Sequence, residues 1–219
     1  MSRILILVEG STEEQFVKEV LGPHFEPVNK YIIPTIVTTK QVPGEPYFKG
    51  GVGSYEKIRR DIRRLCNDSD AVCITTMIDY YGLPDDFPGI AKSLSGPAAL
   101  RVSHLETAFA ANIDDRRFVP YLSTHEFEAC LFSRPDVIAK TFEKPMIANT
   151  LESVRRKFDT PEDINDDSPP SKRIEALVGE YDKPFFGALI ASIIGLERIR
   201  AECPHFDSWL SALEQLGQV

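Results

Sequence analysis

Arg3-Ile4-Leu5-Ile6-Leu7-Val8-Glu9-Gly10-Ser11-Thr12-Glu13-Glu14 opens the chain and decides its architecture. The uninterrupted Ile, Leu and Val run reads as a strand buried on both faces, as in a parallel sheet covered by helices. It stops abruptly at an acid. Gly10 admits the backbone of a tight turn, and Ser11 is placed to cap a helix with Glu14 reaching back to it. The order is strand, carboxylate, turn, helix. That puts Glu9 at the carboxyl end of a central strand, where open α/β sheets carry ligand crevices, and beside a helix N-terminus that favours its ionised form. The competing reading is an acid that merely decorates a surface turn.

The pattern repeats at Ala71-Val72-Cys73-Ile74-Thr75-Thr76-Met77-Ile78, an apolar, β-branched run that ends in Asp79. If the two strands are neighbours, Glu9 and Asp79 converge at one edge of the sheet with a separation suited to sharing a metal ion. A third strand, Phe118-Val119-Pro120-Tyr121-Leu122, runs into Ser123-Thr124-His125-Glu126-Phe127-Glu128. An extended backbone would point Glu126 and Glu128 the same way and a helix would split them; in both cases one acid reaches a shared site. His125 is a further candidate ligand, or a hydrogen-bonded structural histidine. The set is rich in oxygen and has no thiolate pair, which selects Mg²⁺ or Mn²⁺ over zinc.

Between these segments, Phe16, Val17, Val20 and Leu21 recur at helical spacing, and Gly22-Pro23 is expected to end that helix. Tyr31 to Thr38 reads as a second strand, nearer an edge because of Pro34. Gly50-Gly51-Val52-Gly53-Ser54 either presents amides to a phosphate or is a turn with Ser54 as helix cap. In the helix from Tyr55, Ile58, Ile62 and Leu65 form an apolar stripe, while Lys57, Arg59, Arg60, Arg63 and Arg64 make the most basic segment of the chain. That face steers a nucleic-acid backbone or an acidic partner, or is simply solvated. A helix is expected over 97–113 with Leu100, Val102, Leu105, Ala108, Phe109 and Ile113 inward. Asp85 and Asp86 read as turn acids, and Pro135 starts a helix. The segment 158–171 reads as a mobile acidic linker, 184–199 as a helix buried all round, and Phe206, Trp209, Leu210, Leu213 and Leu216 as one face of a closing helix.

The 219 residues suffice for a large core, and 42% hydrophobic against 26% charged residues excludes wholesale disorder. A net charge of −8 argues against general electrostatic attraction to nucleic acid or anionic membranes, although acids that hold metals contribute to that total. Cys66, Cys73, Cys130 and Cys203 lack the paired spacing of a zinc site or disulfide framework, and read as buried thiols. No run is long enough to cross a bilayer, and a cytoplasmic location is expected.

Strand-Glu9-Gly10, a later strand ending in Asp79 and a downstream acidic cluster resemble the Toprim domain of primases, topoisomerases and the overcoming-lysogenization-defect (OLD) nucleases. Val8-Glu9-Gly10-Ser11-Thr12-Glu13 is most similar to the nuclease branch, in which a second glutamate one turn later serves the metals; that role falls on Glu13. Thr124-His125-Glu126-Phe127-Glu128-Ala129, Ser171-Lys172-Arg173, Tyr181-Asp182-Lys183 and 199–206 more closely resemble a bacterial Toprim-like family of unknown function, over nearly the whole chain. The resemblance implies a Toprim/Rossmann-like α/β fold, a mostly parallel sheet flanked by helices, at 1–135, with a helical region at 136–219 packed on it.

It also implies metal-dependent phosphodiester hydrolysis of DNA or RNA. Glu9, Glu13, Asp79 and Glu128, with Glu126 as alternate, would hold Mg²⁺, and Lys183, or Lys172 and Arg173, would neutralise charge on the phosphate. Arg60, Arg63 and Arg64 would add backbone contacts. Toprim proteins carry a second Asp two places after the strand-ending one, where this chain has Tyr81, a poor magnesium ligand. That departure implies the alternative of a module without chemistry that binds nucleic acid or a partner ATPase, as in defence systems of the nuclease branch.

Overall fold

The structure, a computed structural model, describes residues 2–37, 53–90, 96–164 and 168–216. Its strands are β1 (Ser2–Val8), β2 (Lys30–Ile36), β3 (Ala71–Asp79), β4 (Phe118–Val119) and β5 (Leu122–Ser123). All pair in parallel in the order β2-β1-β3-β4, with β5 joining β3 further along. Along the chain come α1 (Ser11–Phe16) and α2 (Gly22–Phe25), then α3 (Tyr55–Cys66) and α4 (Ala98–Ile113). The C-terminal part supplies α5 (Pro135–Thr141), α6 (Ala148–Arg155), α7 (Pro170–Val178), α8 (Lys183–Ile194), α9 (Leu196–Glu202) and α10 (Pro204–Gln215).

The apolar run of β1 is buried on both faces because side chains alternate across a strand. Ile4, Ile6 and Val8, with Cys73 and Met77 of β3, meet α1 and the C-terminal helices through Phe16, Phe127, Ile190, Phe206 and Trp209. Leu5 and Leu7, with Ile74 and Ile78, meet α3 and α4 through Ile58, Ile62, Leu105 and Phe109. Each such aliphatic side chain, fully buried, contributes about 1.5–3 kcal/mol. The result is an α/β fold with β1 and β3 at its centre and a helical C-terminal region packed on one face. No helix among the described residues is long and apolar enough to cross a membrane.

Several local expectations give way to tertiary context. The N-terminal helix does not end at Gly22-Pro23; it passes through a π turn at Val17–Leu21 into α2, with Pro23 in the first turn of that segment, where a missing N–H costs nothing. Gly10, not Ser11, is the N-cap of α1, and Glu13, not Glu14, reaches back to it, while Glu14 pairs with Lys18. Ser54 is the N-cap residue of α3, as expected, but its side chain makes no capping bond, and Asp86 Oδ1 instead accepts from Tyr55 N–H at 2.9 Å; Gly50, Gly51 and Val52 lie outside the described residues. Leu100 is exposed rather than inward.

The supposed linker is anchored in part: Ile164 is fully buried, and Glu162 accepts the backbone N–H groups of His205 and Phe206. Its Asp166 and Asp167 lie outside the described residues. The expected helix over 184–199 is two helices, broken at Gly195 with φ of 82°. It is not buried all round, since Phe185, Leu189 and Ile193 are exposed.

The third strand divides at Pro120, which offers no N–H to the ladder. Two threonines of β3 repair the gap. Thr75 Oγ1 donates to Val119 O, and Thr76 Oγ1 donates to Tyr121 O at 2.8 Å while accepting from Tyr121 N–H at 3.0 Å. Thr75 Oγ1 also accepts from Trp209 Nε1 at 2.9 Å, which ties α10 to the sheet. Thr75→Val keeps the shape and leaves the buried indole N–H and the Val119 carbonyl unbonded. We expect a loss of about 1–3 kcal/mol in urea unfolding, followed by Trp209 fluorescence. An unchanged midpoint would deny the tie its role.

Candidate functional site

The register of β1 and β3 pairs Val8 with Met77, so the chain leaves both strands at the same rim. Glu9 N–H donates to Met77 O at 3.2 Å, and Glu9 Oε2 accepts from Asp79 N–H at 3.0 Å. The carboxylate that follows β1 thus straps the end of β3. Glu13 lies one turn along α1, buried, with Oε2 accepting from Gly10 N–H at 2.9 Å. From the third segment comes Glu128, buried in the 3-10 turn Phe127–Ser133. From α8 comes Lys183, whose Nζ lies 3.5 Å from Glu128 Oε1.

The 3-10 turn splits the two downstream glutamates. Glu126, its N-cap, turns toward α7 and accepts from Ser171 N–H at 3.0 Å and Ser171 Oγ at 3.1 Å. In this structure both of its oxygens serve that helix terminus, although its charge still acts on Asp79 and Glu128.

The electrostatics follow from crowding like charges in a place water reaches poorly. Burial, with the charges of Glu9 and Glu128 added, pushes the Glu13 carboxyl up to about 7. Burial and the charges of Glu13, Glu9, Glu128 and Glu126 raise Asp79 well above the usual carboxylate range. Glu128 is raised by burial, against the pull of Lys183. For Lys183 burial acts downward, but Glu128, Glu126 and Asp79 outweigh it and hold the ammonium charged. Asp79 Oδ1 is enclosed without a hydrogen-bond partner, and so is Glu128 Oε1 apart from the lysine beside it.

An enclosed Asp79 oxygen with nothing to accept from, in an all-oxygen set, fits a hard cation in donor chemistry. In side-chain placement the set is open: among the described residues, no three His, Cys, Asp or Glu groups are gathered as a metal cluster.

The other candidate residues lie elsewhere. α3 crosses back from the acidic rim, and its basic end, Arg63 and Arg64, leads into the start of β3 at the opposite edge of the sheet. Arg60 and Arg64 lie against the buried Asp61 at 3.2 and 3.4 Å. Lys172 is exposed and paired with Glu175, while Arg173 Nε donates to Ser168 O; both sit on α7, the helix that Glu126 caps. Tyr81 is 70% exposed beyond Asp79.

Reading residue types alone passes over Tyr181, Thr124 and Arg101. The Tyr181 hydroxyl is enclosed without a hydrogen-bond partner, and burial together with Glu128 and Glu126 drives its ionisation far upward. The available signal was Tyr181 standing two residues before Lys183. His125 is buried, and desolvation plus the charge of Arg101 lowers it to about 4, so it is neutral.

Protonated Glu13 adds stability that is complete below its unfolded pKa of 4.5 and is lost as the pH rises through about 7. The loss amounts to about 1.4 kcal/mol per pH unit, on the order of 3 kcal/mol in all. His125 works in the opposite sense, its contribution fading as the pH falls from 6.5 toward about 4. The informative quantity is therefore the difference between wild type and Glu13→Gln, measured by urea unfolding in a chelator. Glu13→Gln should gain on wild type steadily across that window; a flat difference would mean that Glu13 titrates normally.

No curated protein sequence matches the chain. Among solved structures, the C-terminal region of the Burkholderia pseudomallei OLD protein is 16% identical, with a TM-score of 0.43 over 97% of this chain and 99% of that one. Homoserine dehydrogenase from S. aureus is 13% identical, with a TM-score of 0.27 over 78% of this chain and 45% of that one. The family described as Domain of unknown function (DUF4276) matches residues 8–214, and the chain therefore belongs to the DUF4276 family.

Proposed function

We propose that the protein is a metal-dependent phosphodiesterase acting on DNA or RNA, with its centre at the carboxyl ends of β1 and β3. The observation that carries this reading is the meeting of Glu9, Glu13, Asp79 and Glu128 from three separate segments, with an enclosed, unpartnered oxygen on Asp79 and a Glu128 carboxylate whose inner oxygen has only Lys183 beside it. A structural core gains nothing from such crowding, because each buried carboxylate is costly unless a positive charge compensates it. The motif spelling around Glu9 and Glu13 supports the Toprim assignment.

Glu9, Glu13, Asp79 and Glu128 would hold Mg²⁺ or Mn²⁺, which when bound supplies Lewis acidity and an activated water. The remaining work belongs to the chain. Glu13, its carboxyl pushed up to about 7 by burial and by the charges of Glu9 and Glu128, would have to give up its proton to serve as a ligand. Lys183, held charged by Glu128, Glu126 and Asp79, offsets negative charge that develops on the phosphate. Lys172 and Arg173, on the helix that Glu126 caps, would add phosphate contacts further out.

Purified protein should cut single- or double-stranded DNA or RNA when Mg²⁺ or Mn²⁺ is supplied. Glu9→Ala and Asp79→Asn should abolish cutting, and Lys183→Ala should slow it by about 10²–10³. Absence of cutting by wild type, or undiminished cutting by Glu9→Ala, sinks the proposal.

Tyr81 and the open placement of the carboxylates favour a second reading, a module that binds a partner, an ATPase or nucleic acid, without chemistry. The basic end of α3, remote from the acids, is its docking face. Melting temperature separates the two: a metal site stabilises the fold as Mg²⁺ rises, and Asp79→Ala removes the effect. A melting curve indifferent to Mg²⁺ selects the second reading.

A further inference from the structure

The α4 side of the same rim carries polar groups for which the acidic cluster has no use. Thr124 and His125 follow β5 directly, each only 4% exposed, and their Oγ1 and Nδ1 are enclosed without a hydrogen-bond partner. Arg101, on the first turn of α4, has its Nε in the same condition, and its guanidinium carbon lies 5.5 Å over the ring of Tyr80. Tyr80 succeeds Asp79, and Ser123, beside Asp79 in the β3–β5 register, precedes Thr124. Two elements therefore bring an arginine, a hydroxyl and an imidazole to the strand end that also presents the unpartnered Asp79 Oδ1.

Enclosing one polar group without a partner costs about 1–3 kcal/mol. Three of them beside one strand end mark a place where a bound acceptor completes the bonding. Guanidinium, hydroxyl and imidazole N–H are the donors that hold phosphate oxygens, and arginine matches the tetrahedral group with its planar fork.

We infer that Arg101, Thr124 and His125 form a phosphate-binding subsite on the α4 side of Asp79. The subsite is read from its own unpartnered groups; naming its ligand as a phosphate of the bound strand rests on the phosphodiesterase reading. In this arrangement Arg101 and Thr124 hold the phosphate from one side, while Glu128 and Lys183 approach from the other. Substrate position is then set by both faces of the sheet.

The test is calorimetric titration of the full chain with inorganic phosphate in Mg²⁺ buffer, with chloride at equal ionic strength as control. Wild type should bind phosphate and not chloride. Arg101→Gln and the near-isosteric Thr124→Val should each weaken binding by about 10- to 100-fold, with melting temperatures showing that both remain folded.

No phosphate binding by wild type overturns the subsite. So does equal affinity in both variants, the result expected if a buried water satisfies these groups, or loss confined to Lys183→Ala. Phosphate binding that depends on Arg101, in a protein that cuts no nucleic acid, leaves the subsite standing and removes the hydrolytic reading. Cutting with phosphate affinity untouched by the variants does the reverse.

Discussion

Four carboxyl groups brought to one end of a buried sheet, near enough for their charges to act on one another, are the constraint around which this fold is arranged. Mutual repulsion and poor access to water oppose their ionisation and raise Glu13, Asp79 and Glu128, while the ammonium of Lys183 and the backbone N–H groups of Gly10 and Asp79 act in the other direction. The remainder of the architecture makes the arrangement tolerable. β1 and β3 are locked into the centre of the sheet by apolar contacts on both faces, and the rim they carry is tied by Glu9 to the Asp79 amide. A less rigid support would let the acids spread apart into solvent.

The C-terminal helices are part of that support. Phe127 packs on Phe16 with ring centroids 4.8 Å apart, so the turn that presents Glu128 is seated against the helix that presents Glu13. Gly187 of α8 faces the same contact, where a Cβ would come within 3.2 Å of Phe127 and 3.3 Å of Thr12. α8 therefore lies close enough to bring Lys183 to the acids. Elements distant in sequence meet around one charge cluster, so the helical region contributes to the site as well as to the core.

Much of this was legible in the order of residues. β1, β3 and the acids that end them are visible because continuous β-branched runs have few other structural readings, and Gly10 marks where the first one stops. The features that escaped depend on tertiary partners. Whether Glu13 or Glu14 caps α1 depends on which side chain the packing turns inward. The loss of Glu126 to Ser171 could not be read, because the two residues stand about forty-five positions apart in the chain and meet only in the fold. The split at Pro120 was hidden for a different reason: Thr75 and Thr76 read as ordinary β-formers, and nothing local reveals that their hydroxyls replace ladder bonds. Gly195 was audible as a helix breaker, but the apolar letters on both sides of it masked the break.

The strap from Glu9 to the backbone of Asp79 has a bearing on what this position tolerates. The contact spans from one strand end to the next and is made by a terminal oxygen of the glutamate side chain. Aspartate has the same charge but one methylene less reach, so its carboxylate would stop short of the Asp79 amide. Position 9 is thus governed by length as much as by charge, and a homologous chain that carries Asp there would need its two central strands to end at a different relative stagger.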